Sequence, residues 1–431
     1  MVKQFGMNNI DELYAMLKSR SQLDVPEVID AVTEIIKQVR IRGDEALFEF
    51  TAKFDKVELE DFRVTKEEWD AAKIDENIRG TILRSLDNIV DFHQKQKIQS
   101  WTESGPAGIQ LGLLARPIES VGLYVPGGSA PLISTVLMNA VPAKVAGVSR
   151  IVMVSPPNVQ GRIPDEILVA ARLAGVDEIY KVGGAQAIAA LAFGTKSIER
   201  VDKIFGPGNI YVSTAKRLVF GYCGIDSFAG PSEITVVADD TANPKFIAAD
   251  MLSQAEHDKL ASSILITVSN SIADEVVLEL ERQLSVIPRR ETASESLKNF
   301  GVIVRVDSLE EAIKIVNMIA PEHLELCVDK AEDIVGLIRN AGAIFLGNYS
   351  PEPLGDYFAG PNHVLPTGGT ARFASPLNVG DFIKKTSLIS YSKEALMSVS
   401  KDVYDFAKAE ELDAHANAIK VRFEDLFGGN E

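Results

Sequence analysis

The chain has 431 residues, enough for two to three domains at roughly 150 residues each, and its 46% hydrophobic and 24% charged content excludes disorder, collagen and coiled coil as the main architecture. With 44 Lys and Arg against 61 Asp and Glu, the formal charge of −17 has the wrong sign for neutralising nucleic-acid phosphates or docking on anionic lipid. The two cysteines, Cys223 and Cys327, cannot build a disulfide framework or a four-thiolate zinc site, and they fit a reducing cytoplasm.

The N-terminus lacks an apolar core of signal-peptide length, so no export is expected. The first hundred residues read as packing helices. Val28, Val32, Ile35, Ile36 and Val39 follow the 3.6-residue period behind Pro26, and Gly43 closes the segment. Thr65 with Glu68 makes a capping box, and Ile78, Ile82, Leu86, Ile89 and Phe92 form a longer stripe. The charge-free stretch from Ser120 to Ala143 is long enough to cross a bilayer, but Pro126, Gly127, Gly128, Pro131 and Pro142 interrupt it, and no membrane span is expected.

From Val121 the pattern changes to short apolar runs alternating with helix-length segments. Strands are expected at 121–125, 150–154, 178–182, 202–205 and 225–227, then at 234–238, 262–268, 301–306, 324–327 and 343–346. This is an α/β chain: two doubly wound, incomplete Rossmann-like domains in tandem, with an N-terminal helical region and a helical C-terminal tail. Ligands are expected where loops leave the strand C-termini. After about Pro376 the strands are expected to stop, with a helical tail from roughly Lys393 to Phe427.

No G-x-G-x-x-G fingerprint occurs anywhere in the chain. Three other glycine loops stand at strand-to-helix junctions: Pro126-Gly127-Gly128-Ser129, Gly183-Gly184-Ala185-Gln186 and Gly206-Pro207-Gly208-Asn209. Their amides suit phosphates at helix N-termini, although tight turns alone also carry such sequences. Gln254 and His257, three apart on a predicted helix, share a face and can reach one ion; a solvated helix face carries the same spacing. Glu322 and His323 stand just before a strand, two proton-transfer groups expected to point apart and to serve different steps. Asp356 and His363 bracket an irregular, ligand-holding type of loop. In the tail, Glu411 and His415 at i, i+4 share a helix face and Glu410 is rotated away. Ser232 lies in no nucleophile elbow, so a hydrogen-bonding role fits it better. Cys327, inside an apolar strand, reads as a buried inert thiol, and Cys223 has no activating neighbour.

Taken together, these motifs resemble the L-histidinol dehydrogenase family over essentially the whole chain. The most specific stretches are Ile225-Asp226 through Ala229-Gly230-Pro231-Ser232-Glu233 to Ser253-Gln254-Ala255-Glu256-His257, then Pro321-Glu322-His323-Leu324, then Gly360-Pro361-Asn362-His363 through Thr367. The resemblance implies one zinc ion per subunit on Gln254, His257, Asp356 and His415, acid/base work by Glu322 and His323, substrate contacts from Ser232, His323, His363 and Glu410 besides the zinc ligands, and NAD contacts from Tyr124, Gln186 and Asn209. It favours Glu410 over Glu411 as the tail carboxylate.

The implied reaction is the four-electron oxidation of L-histidinol to L-histidine through a bound aldehyde with two NAD, in a homodimer with shared active sites. Zinc then serves as a template, His323 takes the alcohol proton and Glu322 activates water; a thiohemiacetal route lacks a cysteine in the motifs. The expected division is an N-terminal helical arm at 1–22, a first Rossmann-like domain at 23–120 and 233–376 with the catalytic and zinc residues, a second at 121–232 with the NAD loops, and a helical tail at 377–431 reaching the partner subunit. A zinc hydrolase using the same ligands, or a related dehydrogenase of another small alcohol, are the competing readings.

Overall fold

The computed structural model describes residues 2–20, 25–127, 131–227 and 230–427. Its strands, in chain order, are β1 (Lys3–Phe5), β2 (Trp101–Ser104), β3 (Gln110–Pro117), β4 (Ser120–Tyr124), β5 (Arg150–Ser155), β6 (Glu178–Lys181), β7 (Lys203–Phe205), β8 (Gly224–Ile225), β9 (Glu233–Ala238), β10 (Ser262–Thr267), β11 (Gly301–Arg305), β12 (His323–Cys327), β13 (Ala343–Leu346) and β14 (Ile383–Ser390). The ten strands expected from Val121 to Leu346 are all present, within a residue or two at each end.

The chain divides into two compact units, residues 1–97 with 118–382, and residues 98–117 with 383–431. Within the first unit a five-stranded parallel sheet has the order β6-β5-β4-β7-β8, and a six-stranded parallel sheet has the order β1-β11-β10-β9-β12-β13. Apart from the added edge strand β1, the two sheets repeat one topology. The chain starts at a central strand, winds outward twice, then returns to the other side, so each sheet has one point where strand order reverses. In the first sheet that point lies between β4 and β7; in the second it lies between β9 and β12.

The central strands are buried on both faces, which is why they read as continuous apolar runs. The helix Pro26–Arg42 forms as its stripe predicts, with Pro at its first turn and Gly43 at φ 57° closing it. Val28, Val32, Ile35, Ile36 and Val39 pack with the alanine-rich helix Gly184–Phe193 under the five-stranded sheet. The helices of residues 26–54, grouped in sequence with 233–376, therefore cover the other sheet. An apolar stripe specifies that a helix is covered and leaves open by what.

The second unit departs from the expected helical tail. β14 pairs antiparallel with β3, and β3 with β2, in a three-stranded sheet. The helix Lys393–Ala409 follows, then Asp413–Lys420 and Glu424–Phe427. These strands are mostly exposed and carry Lys384, Lys385, Thr386 and Gly112, so no clear apolar alternation marked them. The tail is also not one helix. Glu410 caps the first segment and Glu411 turns at φ 59°, so Glu411 and His415 do not share a helix face by the i, i+4 rule.

Candidate active site

A cavity of about 610 Å³ lies in the first unit where the two parallel sheets meet. One wall is the carboxyl edge of the five-stranded sheet, with Pro126, the loop 206–209 and Asp226; the other holds Ser232, Gln254, His257, Glu322, His323, Asp356 and His363. Placement at strand C-termini holds for the first wall only. Ser232 and Glu322 immediately precede β9 and β12, and His323 is the first residue of β12, so the second wall is the amino edge of the six-stranded sheet. The link from β8 to β9 is short, and it delivers the chain from the carboxyl edge of one sheet directly to the amino edge of the next.

Glu322 and His323 are both buried, and their side chains converge instead of pointing apart. Glu322 Oε2 accepts the Glu233 backbone N–H at 2.8 Å, and His323 Nδ1 is 2.9 Å from the Glu233 carbonyl oxygen. The carbonyl can only accept, so Nδ1 carries the proton in either state, and in the neutral ring it is Nε2 that has the free lone pair. Nε2 has no hydrogen-bond partner and lies 3.8 Å from Asp356 Oδ1, while Nδ1 is 3.8 Å from Glu322 Oε2. Burial pushes the Glu322 carboxyl up to about 8, against the opposing pull of His323. Burial acts to lower His323, but the carboxylates of Glu322 and Asp356 outweigh it and carry the imidazole up to about 10. The peptide of Glu322 is held by β13: Gly342 N–H donates to Pro321 O and Ala343 N–H to Glu322 O, both at 2.9 Å. A side chain at Gly342 would meet Glu322 O at 2.5 Å, so only glycine permits that approach.

Above this pair sits a set of N and O donors. Donor atoms of His257, Glu352 and Asp356 lie within 4.8 Å of one another. The helix Pro244–Ala255 ends before His257, yet a 254-to-257 backbone turn keeps Gln254 and His257 on the same cavity. Gln254 is buried with Oε1 unpartnered, an orphaned acceptor that a cation would satisfy. Burial raises Asp356, but His323 and the charge of His363 outweigh it and hold the carboxyl down at about 2, ready to bind a cation. An imidazole and two carboxylates at one point, with the Gln254 amide on the same cavity, are donors that zinc accepts, so the residues fit the implied metal.

Glu352 was not singled out from sequence. It is buried, accepts from Ser253 Oγ at 3.2 Å, and its carboxyl is pushed up to about 8 by burial and by Asp356. Its i, i+4 spacing to Asp356 was the available signal. Glu233 is a second such residue, since its backbone joins Glu322 to His323 and its carboxylate accepts from Gly368 N–H at 2.9 Å. His363 is half-buried with Nε2 unpartnered, and burial lowers its basicity. Its neighbour Asn362 is fixed by Met138 O at 2.6 Å and by His93 Nε2 at 3.3 Å, which gives the buried His93 a structural part.

On the opposite wall, Tyr124 ends β4 and Gly206 follows β7, the two strands flanking the reversal point. Tyr124 Oη accepts Gly184 N–H at 3.1 Å, tying the end of β4 to the second glycine loop. Asn209 lines the cavity and caps the helix Ile210–Val219 through Oδ1, at 3.1 and 3.2 Å from Tyr211 and Val212 N–H. Tyr124 and the buried Gln186 lie behind this wall and do not line the cavity. Gly128 and Ser129 of the first loop, and Ala229 of the 229–233 motif, lie outside the described residues. Glu410 and His415 belong to the second unit, where both are exposed.

The model of the family described as Histidinol dehydrogenase matches residues 18–423. The chain belongs to the histidinol dehydrogenase family. A histidinol dehydrogenase of Caldanaerobacter subterraneus is 56% identical over 95% of this chain and 96% of its own, and one of Clostridium acetobutylicum is 53% identical over 97% and 98%. The crystal structure of histidinol dehydrogenase from Elizabethkingia anophelis superposes with a TM-score of 0.94 at 40% identity, covering 99% of both chains. Membership of the histidinol dehydrogenase family makes the chain an enzyme and agrees with its α/β architecture. Both cysteines are free and buried, and neither lines the cavity. Burial pushes the Cys223 thiol up to about 12 and raises Cys327 as well. No helix among the described residues is long and apolar enough to cross a membrane.

Proposed function

We propose that the protein oxidises L-histidinol to L-histidine through bound L-histidinaldehyde, reducing two NAD in succession, with one zinc ion per subunit, in the cytoplasm. The observation that carries this reading is the meeting, on one cavity, of a tautomer-fixed histidine, a buried carboxyl raised to about 8, a metal-type donor set and the strand-reversal crevice of a doubly wound sheet. A hydrolase has no use for the last of these. Gln254, His257 and Asp356 hold the zinc ion, with His415 from a second copy of the chain as fourth ligand, and Ser232, His363 and Glu410 contact the substrate. The ion, when bound, would serve as a template that anchors the substrate through its nitrogen atoms. Tyr124, Gln186 and Asn209 hold NAD.

In the first oxidation, His323 Nε2 would take the hydroxyl proton, and NAD would supply the hydride acceptor. The carboxylate charge that raises His323 is partly neutralised once Asp356 holds a cation, which returns the imidazole toward the range where it works as a base. In the second, Glu322 would take a proton from water as it adds to the aldehyde while the protonated His323 returns its proton to the aldehyde oxygen, giving the hydrate. His323, neutral again, would then accept the hydrate's hydroxyl proton as a second NAD supplies the hydride acceptor. Exchange of the tail between two copies is supported by the exposed apolar side chains of the second unit, Met397, Val403, Phe406 and Leu412. The test is L-histidinol-dependent NADH formation before and after chelation. It is expected in metal-replete protein, lost on chelation, restored by zinc, and accompanied by reduced zinc content in His257→Ala. Full activity in metal-free protein contradicts the metal assignment, and absence of NADH in replete protein contradicts the function.

A further inference from the structure

Beneath the loop 206–209 lies a buried ion pair that the reaction above does not use. Lys216, on the helix Ile210–Val219, and Asp226, just after β8, have side chains only 3% and 5% exposed, and their charged atoms are in direct contact. Both also grip one residue. Lys216 Nζ donates to Gly206 O at 3.0 Å, and Asp226 Oδ2 accepts Gly206 N–H at 2.7 Å. Gly206 stands at φ 111°, and a Cβ there would meet Tyr124 O at 2.1 Å, so this residue crosses hard against the end of β4. The donor and the acceptor of one peptide residue are thus fixed in opposite senses at the reversal point. The rigid Pro207 then carries that orientation on to Gly208 and Asn209, which line the cavity.

A buried ion pair is a poor stabiliser, because desolvating two charges offsets their attraction, and apolar replacements are often as stable. Its geometric demands are strict, however, and both partners here spend their hydrogen bonds on Gly206. We propose that Lys216 and Asp226 are positioning residues for the nicotinamide cofactor: together they set the peptide orientation at Gly206 and thereby preorganise the loop 206–209 against the dinucleotide. This inference rests on the reading of the crevice as the NAD site.

Two neutral double variants test it. Lys216→Gln with Asp226→Asn removes both charges but keeps a donor for Gly206 O and an acceptor for Gly206 N–H. Lys216→Met with Asp226→Asn removes the charges and the donor. The Met variant is expected to raise the KM for NAD about tenfold with kcat at saturating NAD, KM for L-histidinol and zinc content near parental values, the signature of lost cofactor binding alone. The Gln variant is expected to restore most of that loss. Equal NAD dependence in the two folded variants overturns the proposal. So does a joint fall in kcat, histidinol affinity and zinc content, or failure of either variant to fold, since each assigns the pair to holding the fold. If the parent protein forms no NADH from L-histidinol, the function reading itself has failed, and that is seen before any variant is made.

Discussion

At the residue scale, the Glu322–His323 pair was legible as two proton-transfer groups at a strand edge, but its working geometry was not. Which histidine nitrogen holds the proton is decided by Glu233 O, a contact to a residue 90 positions away in sequence. Glu352 was missed for a related reason: the acidity of a helix face is visible in sequence, whereas its burial beside Asp356 is a product of folding. The arrangement predicts divided labour. Glu322→Gln should still oxidise histidinol to the aldehyde and then stall, whereas His323→Ala should slow both half-reactions, each loss being about 10²- to 10⁴-fold. Feeding each variant histidinol and, separately, the aldehyde measures this. Equal losses in both half-reactions for Glu322→Gln contradict the division.

At the element scale, the buried parallel strands were readable because burial on both faces leaves uninterrupted apolar runs, as in β9 and β10. The exposed β2, β3 and β14 were not, since nothing selects apolar side chains on a sheet that faces solvent. The glycine loops were recognised by composition, yet Asn209 proves to have a structural duty as helix cap as well as a place on the cavity wall. Substitution can separate the two. Asn209→Ala should cost about 1 kcal/mol of stability through the lost cap and also raise the KM for NAD. Asn209→Ser keeps a capping oxygen, so it should recover the stability while the KM stays raised, with zinc content unchanged in both. Melting curves and NAD titrations check this; a KM that follows the stability back to the parental value removes Asn209 from the cofactor site.

At the scale of the whole molecule, the α/β class and the family were accessible from sequence, because three specific motifs between Ile225 and Thr367 occur together in one chain and the family match spans residues 18–423. What sequence did not show is that the two sheets present opposite edges to a common cavity, a consequence of the direct link from β8 to β9. The proposed exchange of tails is tested by co-refolding two inactive chains, one carrying Glu322→Gln and His323→Gln, the other His415→Ala. With exchanged tails, each mixed dimer regains one site that joins an intact core to an intact tail, and activity returns. With tails kept at home every site carries a defect, so mixed dimers confirmed by mass yet inactive contradict the exchange. The central claim is a four-electron oxidation completed in one cavity, and the most direct measurement is the number of NADH formed per L-histidinol consumed by metal-replete protein. Two NADH per histidinol, with L-histidine as the product and no free aldehyde, is the predicted result; one NADH with aldehyde accumulating in solution would contradict it.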